Sequence, residues 1–299
     1  MSASVQVFDR RLVRRRRQRF AAALDSHGFL VREVAERLVE RLGDIRRTFP
    51  RTLVVGAHRG LLGGLVQGRS GIERLVTVDG ASAMLREEAR PALVADEEAL
   101  PFAADRFDAA LGVMTLHWVN DLPGTLVQLR SCLAPDGLLL TALPGGETLL
   151  ELRQALMEAE LECEGGVSPR VSPFLDVRDA GALLQRAGFA LPVVDVDRIT
   201  VSYGDPLRLM RELGRMGEAN ALWQRRPGPM RRLTLARACA IYRERFGDAH
   251  GRVPATFDIL FLTAWKPHAS QPKPLPRGSG RVNLADALKA PARERDADS

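Results

Sequence analysis

Three carboxylates stand where short apolar runs end. Asp79 closes Leu75–Asp79 (LVTVD), and Asp96, followed by Glu97, closes Ala92–Asp96. Upstream, Gly56 and Gly60 bracket a bend after a first apolar run, Thr52–Gly56 (TLVVG). A glycine bend brings backbone amides close to a ligand, and a carboxylate roughly 20 residues further on accepts the hydroxyls of a ribose. The arrangement reads as a site for the adenosine part of a cofactor. Gly56, Ala57 and Gly60 form the bend, Asp79 and Gly80 meet the ribose, and Asp96 and Glu97 reach the adenine amino group. A fourth apolar run, Phe107–Val113, leads into Thr115-Leu116-His117-Trp118. Thr115 is a further candidate cofactor contact. His117 is the candidate catalytic residue, placed for substrate contact or proton removal. Plainer readings stand beside these: a tight turn for the glycines, a helix cap for Asp79, packing beside Trp118 for His117.

Residues of this kind work only if strand ends present them together. From Thr52 to Leu143 short apolar runs alternate with helix-length segments such as Asp121–Leu133, and Pro135-Asp136-Gly137 turns the chain into the fifth run. That rhythm predicts an α/β fold with a parallel sheet and right-handed crossovers. Residues 1–50 read as a helical N-terminal segment, since Val31, Val34, Ala35, Leu38, Val39 and Leu42 share one helix face and Gly43 ends it. Residues 51–266 read as the cofactor-binding domain, with later strands at Val193–Tyr203 and Thr256–Trp265. Between these two strands, residues 206–246 form a helical insertion broken at Pro227-Gly228-Pro229, a lid over the strand ends. Residues 267–299 carry five prolines and few large apolar side chains, which predicts a poorly ordered tail.

At 299 residues and 45% hydrophobic content the chain can bury a sizeable core. No apolar run approaches the ~18 residues of a membrane span. Cys132, Cys163 and Cys239 lie far apart, indicating neither a disulfide framework nor a zinc clip, so a reducing, cytoplasmic setting is expected. Seven arginines crowd residues 10–19; without them the net charge of +6 becomes −1. Such a cluster is a solvated helix face, or a patch that holds the protein at an anionic membrane surface. No aromatic residues interleave with it, so no nucleic-acid partner is expected.

These motifs carry a resemblance. Phe102, Asp79, Asp96 and the run LHWVNDLP are similar to class I methyltransferases of the type-11 group. More narrowly, VFDRRLVRRRR, ADEEALPF, GGETLLELR, EGGVSPRVSPF, LLQRAGF, RMGEANALWQR and VPATFDILFLTAWKPH resemble a mitochondrial family of complex I assembly factors that hydroxylate a protein arginine. The likeness runs from about residue 7 to residue 280. Bacterial biotin-pathway malonyl-carrier methyltransferases are similar at greater distance. The resemblance implies a seven-stranded Rossmann-like fold, S-adenosylmethionine (SAM) as cofactor, and a respiratory NADH dehydrogenase subunit as protein partner. It also implies two departures: the family has an acidic residue where Val54 stands and a glycine where His58 stands, and both changes weaken a SAM site.

Alternative functions are a small-molecule or acyl-carrier O-methyltransferase, and a non-catalytic assembly chaperone with a degenerate SAM site. Arginine hydroxylation needs an oxidant, yet His27, His58, His117, His250 and His268 form no H-x-D/E start of an iron site, so no metal is expected. Glu147 and Glu151 are candidates to line a guanidinium pocket, or are helix-start acids favoured by the dipole. Trp223 and the Met216–Asn220 run lie in the lid, for packing or for closure over substrate.

Overall fold

The computed structural model describes residues 6–85 and 91–272. Three helices open the chain: α1 (Arg10–Phe20), α2 (Leu24–His27) and α3 (Phe29–Gly43). Then come β1 (Arg51–Val55), α4 (Leu61–Val66), β2 (Arg74–Asp79), β3 (Ala92–Val94), β4 (Phe107–Val113), α5 (Leu122–Cys132) and β5 (Leu133–Pro144). The second half holds α6 (Leu150–Glu164), α7 (Val177–Arg186), β6 (Ala190–Tyr203), α8 (Pro206–Arg215), α9 (Arg232–Phe246) and β7 (Val253–Trp265).

All seven strands form one sheet in the order β3-β2-β1-β4-β5-β7-β6. The first five are parallel, as the alternating runs predict. β7 differs: it slots between β5 and β6, antiparallel to both. Because two reversals cancel, β6 runs in the same direction as β5, and its last residue, Tyr203, lies at the edge where β1–β5 end. The insertion between β6 and β7 therefore emerges over the carboxyl ends of the parallel strands.

The central strands are mostly apolar because both sheet faces are covered, with Arg51, Asp108 and Asp136 confined to their starting ends. On one face α3 and α6 set Leu30, Val34, Leu38 and Ala155 against Val54, Leu111 and Phe257. On the other, Leu126 and Leu129 of α5 and Ala180 and Leu184 of α7 cover Leu53, Ala110 and Leu139. Helix starts carry their own signals. The Asp121 carboxylate accepts the Gly124 N–H at 2.8 Å, and Asp205 accepts from Leu207 at 2.7 Å just ahead of Pro206.

α1 has little apolar surface to offer. Only Leu12, Val13 and Arg17 are buried on it, and Asp9 caps it by accepting the Leu12 N–H at 2.9 Å. No helix among the described residues is long and apolar enough to cross a membrane. Contacts divide the chain after Pro267. Of the second part, the described residues form a short turn in which the His268 imidazole Nδ1 meets the Ser270 hydroxyl at 2.8 Å. The predicted poorly ordered tail falls mainly on residues 273–299, outside the described residues.

Candidate functional site

The predicted bend is present. After β1, Gly56 adopts φ +89° and Gly60 φ +78°. A Cβ on Gly56 would lie 1.9 Å from the Thr115 hydroxyl, so no other residue fits. His58 and Arg59 also take positive φ, at 41° and 59°, without glycine's freedom. The His58 ring turns inward and is buried. Its Nε2–H donates to the Val113 carbonyl at 2.7 Å and lies 3.2 Å from Thr115 Oγ1. Burial, together with the charge of Arg17, pushes its pKa down to about 4, so the ring is neutral near pH 7.

The carboxylates also stand at the strand tips, but they are engaged. Asp79, fully buried at the end of β2, accepts the Ala57 N–H at 3.0 Å and the Ala81 N–H at 2.9 Å. Its Oδ2 also takes a 2.6 Å ion pair from Arg17. Burial alone would raise the Asp79 pKa; the Arg17 guanidinium and the Ala81 N–H outweigh it and hold the carboxyl below its usual range. Beyond β3, Asp96 pairs with Arg10 at 2.7 Å and with Arg14 at 2.6 Å, and Arg10 also pairs with the buried Glu97. Arg10, Arg14 and Arg17 are spaced i, i+4, i+7 and so share one stripe of α1. That stripe lies on the three carboxylates. Arg14 also lies beside Gly80, where a Cβ would stand 3.2 Å from its Nε.

A larger cavity, about 210 Å³, opens next to these tips, between β4, α6 and the insertion. Its walls are mostly apolar, among them Met114, Leu152, Leu156, Met210 and Met230. Five polar side chains break that surface: Glu218 and Asn220 from the loop after α8, Arg170, and the hydroxyls of Thr148 and Ser172. Glu218 bonds His117 Nε2 through Oε2 at 2.9 Å. Burial raises the Glu218 pKa, but the neighbouring His117 and Arg17 reverse the shift and keep it ionised. Arg170 is held by Glu160, its Nε 2.6 Å from Oε1.

A family model described as a methyltransferase domain matches residues 11–192. The chain belongs to the methyltransferase-domain family. It is 44% identical over 292 residues to the protein named "Arginine-hydroxylase NDUFAF5, mitochondrial" of Danio rerio, spanning 95% of this chain and 90% of that protein. It is 37% identical over 268 residues to a malonyl-[acyl-carrier protein] O-methyltransferase of Halorhodospira halophila, spanning 87% and 89%. A candidate methyltransferase from Bacillus halodurans has the same fold, with a TM-score of 0.52 at 13% identity, over 78% of this chain and 99% of that one. This is a methyltransferase-fold protein whose relatives are named as hydroxylase and methyltransferase enzymes.

For a methyltransferase-domain protein the implied cofactor is SAM, and its fit can be judged from the residues present. The donor set suits it: a glycine bend and carboxylates at the second and third strand tips. The space does not. Between Arg10, Arg14, Arg17, Gly80, Glu97 and Trp118 only about 10 Å³ remains, room for a single water. His58 fills the bend, and Thr115, expected to contact cofactor, is instead bonded to His58 and the Val113 carbonyl. The expected open hollow is therefore corrected: Asp79 and Asp96 receive guanidinium groups where ribose and adenine were expected.

Three other expectations change. The arginine run is no uniform surface patch, because Arg10, Arg14 and Arg17 face the carboxylates and Arg16 donates to the carbonyls of Ala219 and Asn220 at 2.5 and 2.7 Å. Only Arg11, Arg15 and Arg19 are exposed without such contacts among the described residues, leaving less charge for an anionic surface. Glu151 lines no guanidinium pocket; its carboxylate bonds the Thr256 hydroxyl and N–H, while Glu147 is exposed. His117 stands behind Glu218 and does not itself line the cavity, and Trp223 is 58% exposed. Within the arginine run and the Met216–Asn220 run, composition alone does not distinguish Arg17 or Glu218 from their neighbours. The stripe spacing on α1 was the available signal for Arg17; a lone Glu in Met216–Asn220 offered none.

Proposed function

We propose that this protein is an enzyme that hydroxylates an arginine side chain of a protein partner, a subunit of respiratory NADH dehydrogenase. The observation that carries this reading is an apolar cavity whose wall holds an ionised carboxylate, Glu218. An arginine has a long aliphatic stem for the methionine and leucine walls and a planar cation for the carboxylate. His117 holds Glu218 from behind and acts as a positioning residue. The relatives named arginine-hydroxylase support the reading, and SAM is the proposed cofactor at the Asp79 and Asp96 tips. The closed arrangement leaves no room for SAM, so its binding requires α1 to move.

The test is mass spectrometry of an arginine-containing partner peptide after incubation with the full chain, SAM, dioxygen and a two-electron reductant, one oxygen atom entering the peptide and the other leaving as water. A product gaining one oxygen supports the proposal. A gain of one methyl group makes the protein a methyltransferase, and an unmodified peptide that still binds leaves an assembly role without chemistry. Replacing Glu218 by Gln removes a charge-assisted bond worth about 1.5–3 kcal/mol, so peptide affinity is expected to fall roughly 10- to 100-fold. An unchanged Kd by calorimetry would place the guanidinium elsewhere.

Arg170 supports a second reading. A cation in the same cavity suits the free carboxylate of a malonyl group, the substrate named for the bacterial relatives. Methyl transfer from labelled SAM to a malonyl-carrier protein decides in its favour.

Membrane association is proposed only through the outward stripe of α1. Co-sedimentation with anionic liposomes is expected to drop when Arg11, Arg15 and Arg19 are replaced by Ala, each contributing about 1 kcal/mol. Retention equal to the unaltered chain removes this role.

A further inference from the structure

We propose that α1, together with the loop after α8, is a displaceable strap whose guanidinium groups and the cofactor compete for the same carboxylates. This rests on the reading of the strand tips as a nucleotide site, and it gives that site a means of regulation. The contacts are specific. Arg17 takes Asp79, and Arg10 and Arg14 take Asp96, the two residues on which an adenosine would depend. Lifting the stripe away would leave Asp79, Asp96 and Glu97 at one hollow without their guanidinium partners, held only by backbone N–H groups at Asp79 and Asp96. SAM, a net cation, would meet these carboxylates through the hydroxyls of its ribose and the amino group of its adenine, hydrogen-bond donors that take the place of the guanidinium groups.

The way α1 is attached allows the exchange. It does not belong to either main core. Phe8, Leu12 and Val13 pack instead with Trp118, Ala221 and Leu222 in a small cluster of their own, Phe8 lying edge-on to Trp118 at 5.3 Å. Backbone bonds tie the same two segments to each other: the Asp9 N–H to the Ala221 carbonyl and the Trp223 N–H to the Val7 carbonyl, both at 2.8 Å. Arg16 adds its two bonds to Ala219 and Asn220. The start of the chain and the loop thus hold each other directly, and polar side-chain bonds join them to the strand-end loops: Asn120 accepts the Val7 and Phe8 N–H groups, Gln18 accepts the Ala83 N–H, and the three arginines meet the carboxylates, so lifting the strap exchanges polar contacts and leaves both main cores intact.

The closed arrangement is also poorly satisfied. At the residual hollow, Nε of Arg10 and of Arg17 and Nε1 of Trp118 are buried and meet no hydrogen-bond partner among the described residues; the same holds for Nδ1 of His58 and of His117, which do not line it. Buried polar atoms are ordinarily paired, and a cluster of orphans lowers the cost of opening. Because Glu218, Ala219 and Asn220 wall the larger cavity, a strap that lifts for the nucleotide also reshapes the substrate pocket. Occupancy of the two sites is then linked, and the linkage is reciprocal.

Hydrogen exchange on the full chain, titrated with SAM, tests this. Amides of residues 10–20 and 216–223 are expected to lose protection together as SAM binds. The double variant Arg10→Gln/Arg14→Gln, which keeps the buried Arg17 pair, is expected to bind SAM at least about tenfold more tightly by calorimetry, the equivalent of one lost competing charge-assisted bond. Arg14→Gln alone, at a half-exposed position, gives a smaller gain in the same direction and serves if the double variant does not fold. SAM binding with α1 protection unchanged or increased overturns the strap and leaves the nucleotide site standing. No SAM binding by folded variant and unaltered chain alike overturns both. Binding by the variant alone is the strongest support.

Discussion

Arg17→Gln is expected to destabilise the fold by about 3–5 kcal/mol, the largest loss from any single exchange at the strand tips. Arg17 is 6% exposed and its partner Asp79 is fully buried. Removing the cation leaves a carboxylate that has lost its one ion-pair partner among the described residues and still lies out of water. Two N–H donors, from Ala57 and Ala81, remain to it and are not enough to replace a charge at 2.6 Å. Urea unfolding would show a lower midpoint at unchanged slope. The double exchange Arg17→Gln/Asp79→Asn is expected to recover most of the loss, because a neutral amide pair carries no desolvated charge. That recovery separates electrostatics from packing: a double variant as unstable as the single one would mean that the Arg17 stem, not its charge, was the source. A loss below about 1 kcal/mol would mean that water reaches Asp79.

The same ion pair shows what could be read in the sequence and what could not. Strands β1, β4 and β5 are legible because both of their faces are buried, which writes most of each as an apolar run. The positions of Asp79 and Asp96 at strand tips are legible because each closes an apolar run, although a helix cap is an ordinary reason for such a carboxylate. Their partners are not legible. Arg17 lies 62 residues before Asp79 and Arg10 lies 86 before Asp96, with no local pattern joining them. The run at 10–19 reads as one patch by composition, and only the helical period divides it. Arg10, Arg14 and Arg17 fall on the stripe that meets the tips; Arg11, Arg15 and Arg19 fall on the outward one. Glu218 had still less signal, since its importance comes from the closing of a loop onto His117 across 101 residues. Glu151 misled for the opposite reason: at a helix start beside the fifth strand it looked available, yet β7 brings Thr256 to its carboxylate. The insertion of β7 between β5 and β6 is a pairing choice that no strand announces in its own residues.

His58 gives the protein a predicted acid sensitivity above the usual carboxylate range. Its pKa is near 4 in the folded state and 6.5 is the ordinary value, so the unfolded chain binds the extra proton first as pH falls. Stability from this residue is fully present above pH 6.5 and is lost progressively toward pH 4. At about 1.4 kcal/mol per pH unit, the loss approaches roughly 3 kcal/mol at the lower limit. The physical source is direct. A protonated ring would be a second buried cation beside Arg17, and its Nδ1 has no acceptor among the described residues. Asp79, Asp96 and Glu218 are held below their ordinary carboxylate values, so their own losses begin lower and the interval from pH 6.5 to about 5 isolates the histidine. His58→Asn is the matched control, since asparagine tolerates positive φ, can donate to the Val113 carbonyl and does not titrate. Melting temperatures of the unaltered chain are expected to fall across that interval while those of the variant stay level. Parallel curves would show that the ring is reached by water and leaves the bend at no cost, in which case His58 would no longer stand between SAM and its site.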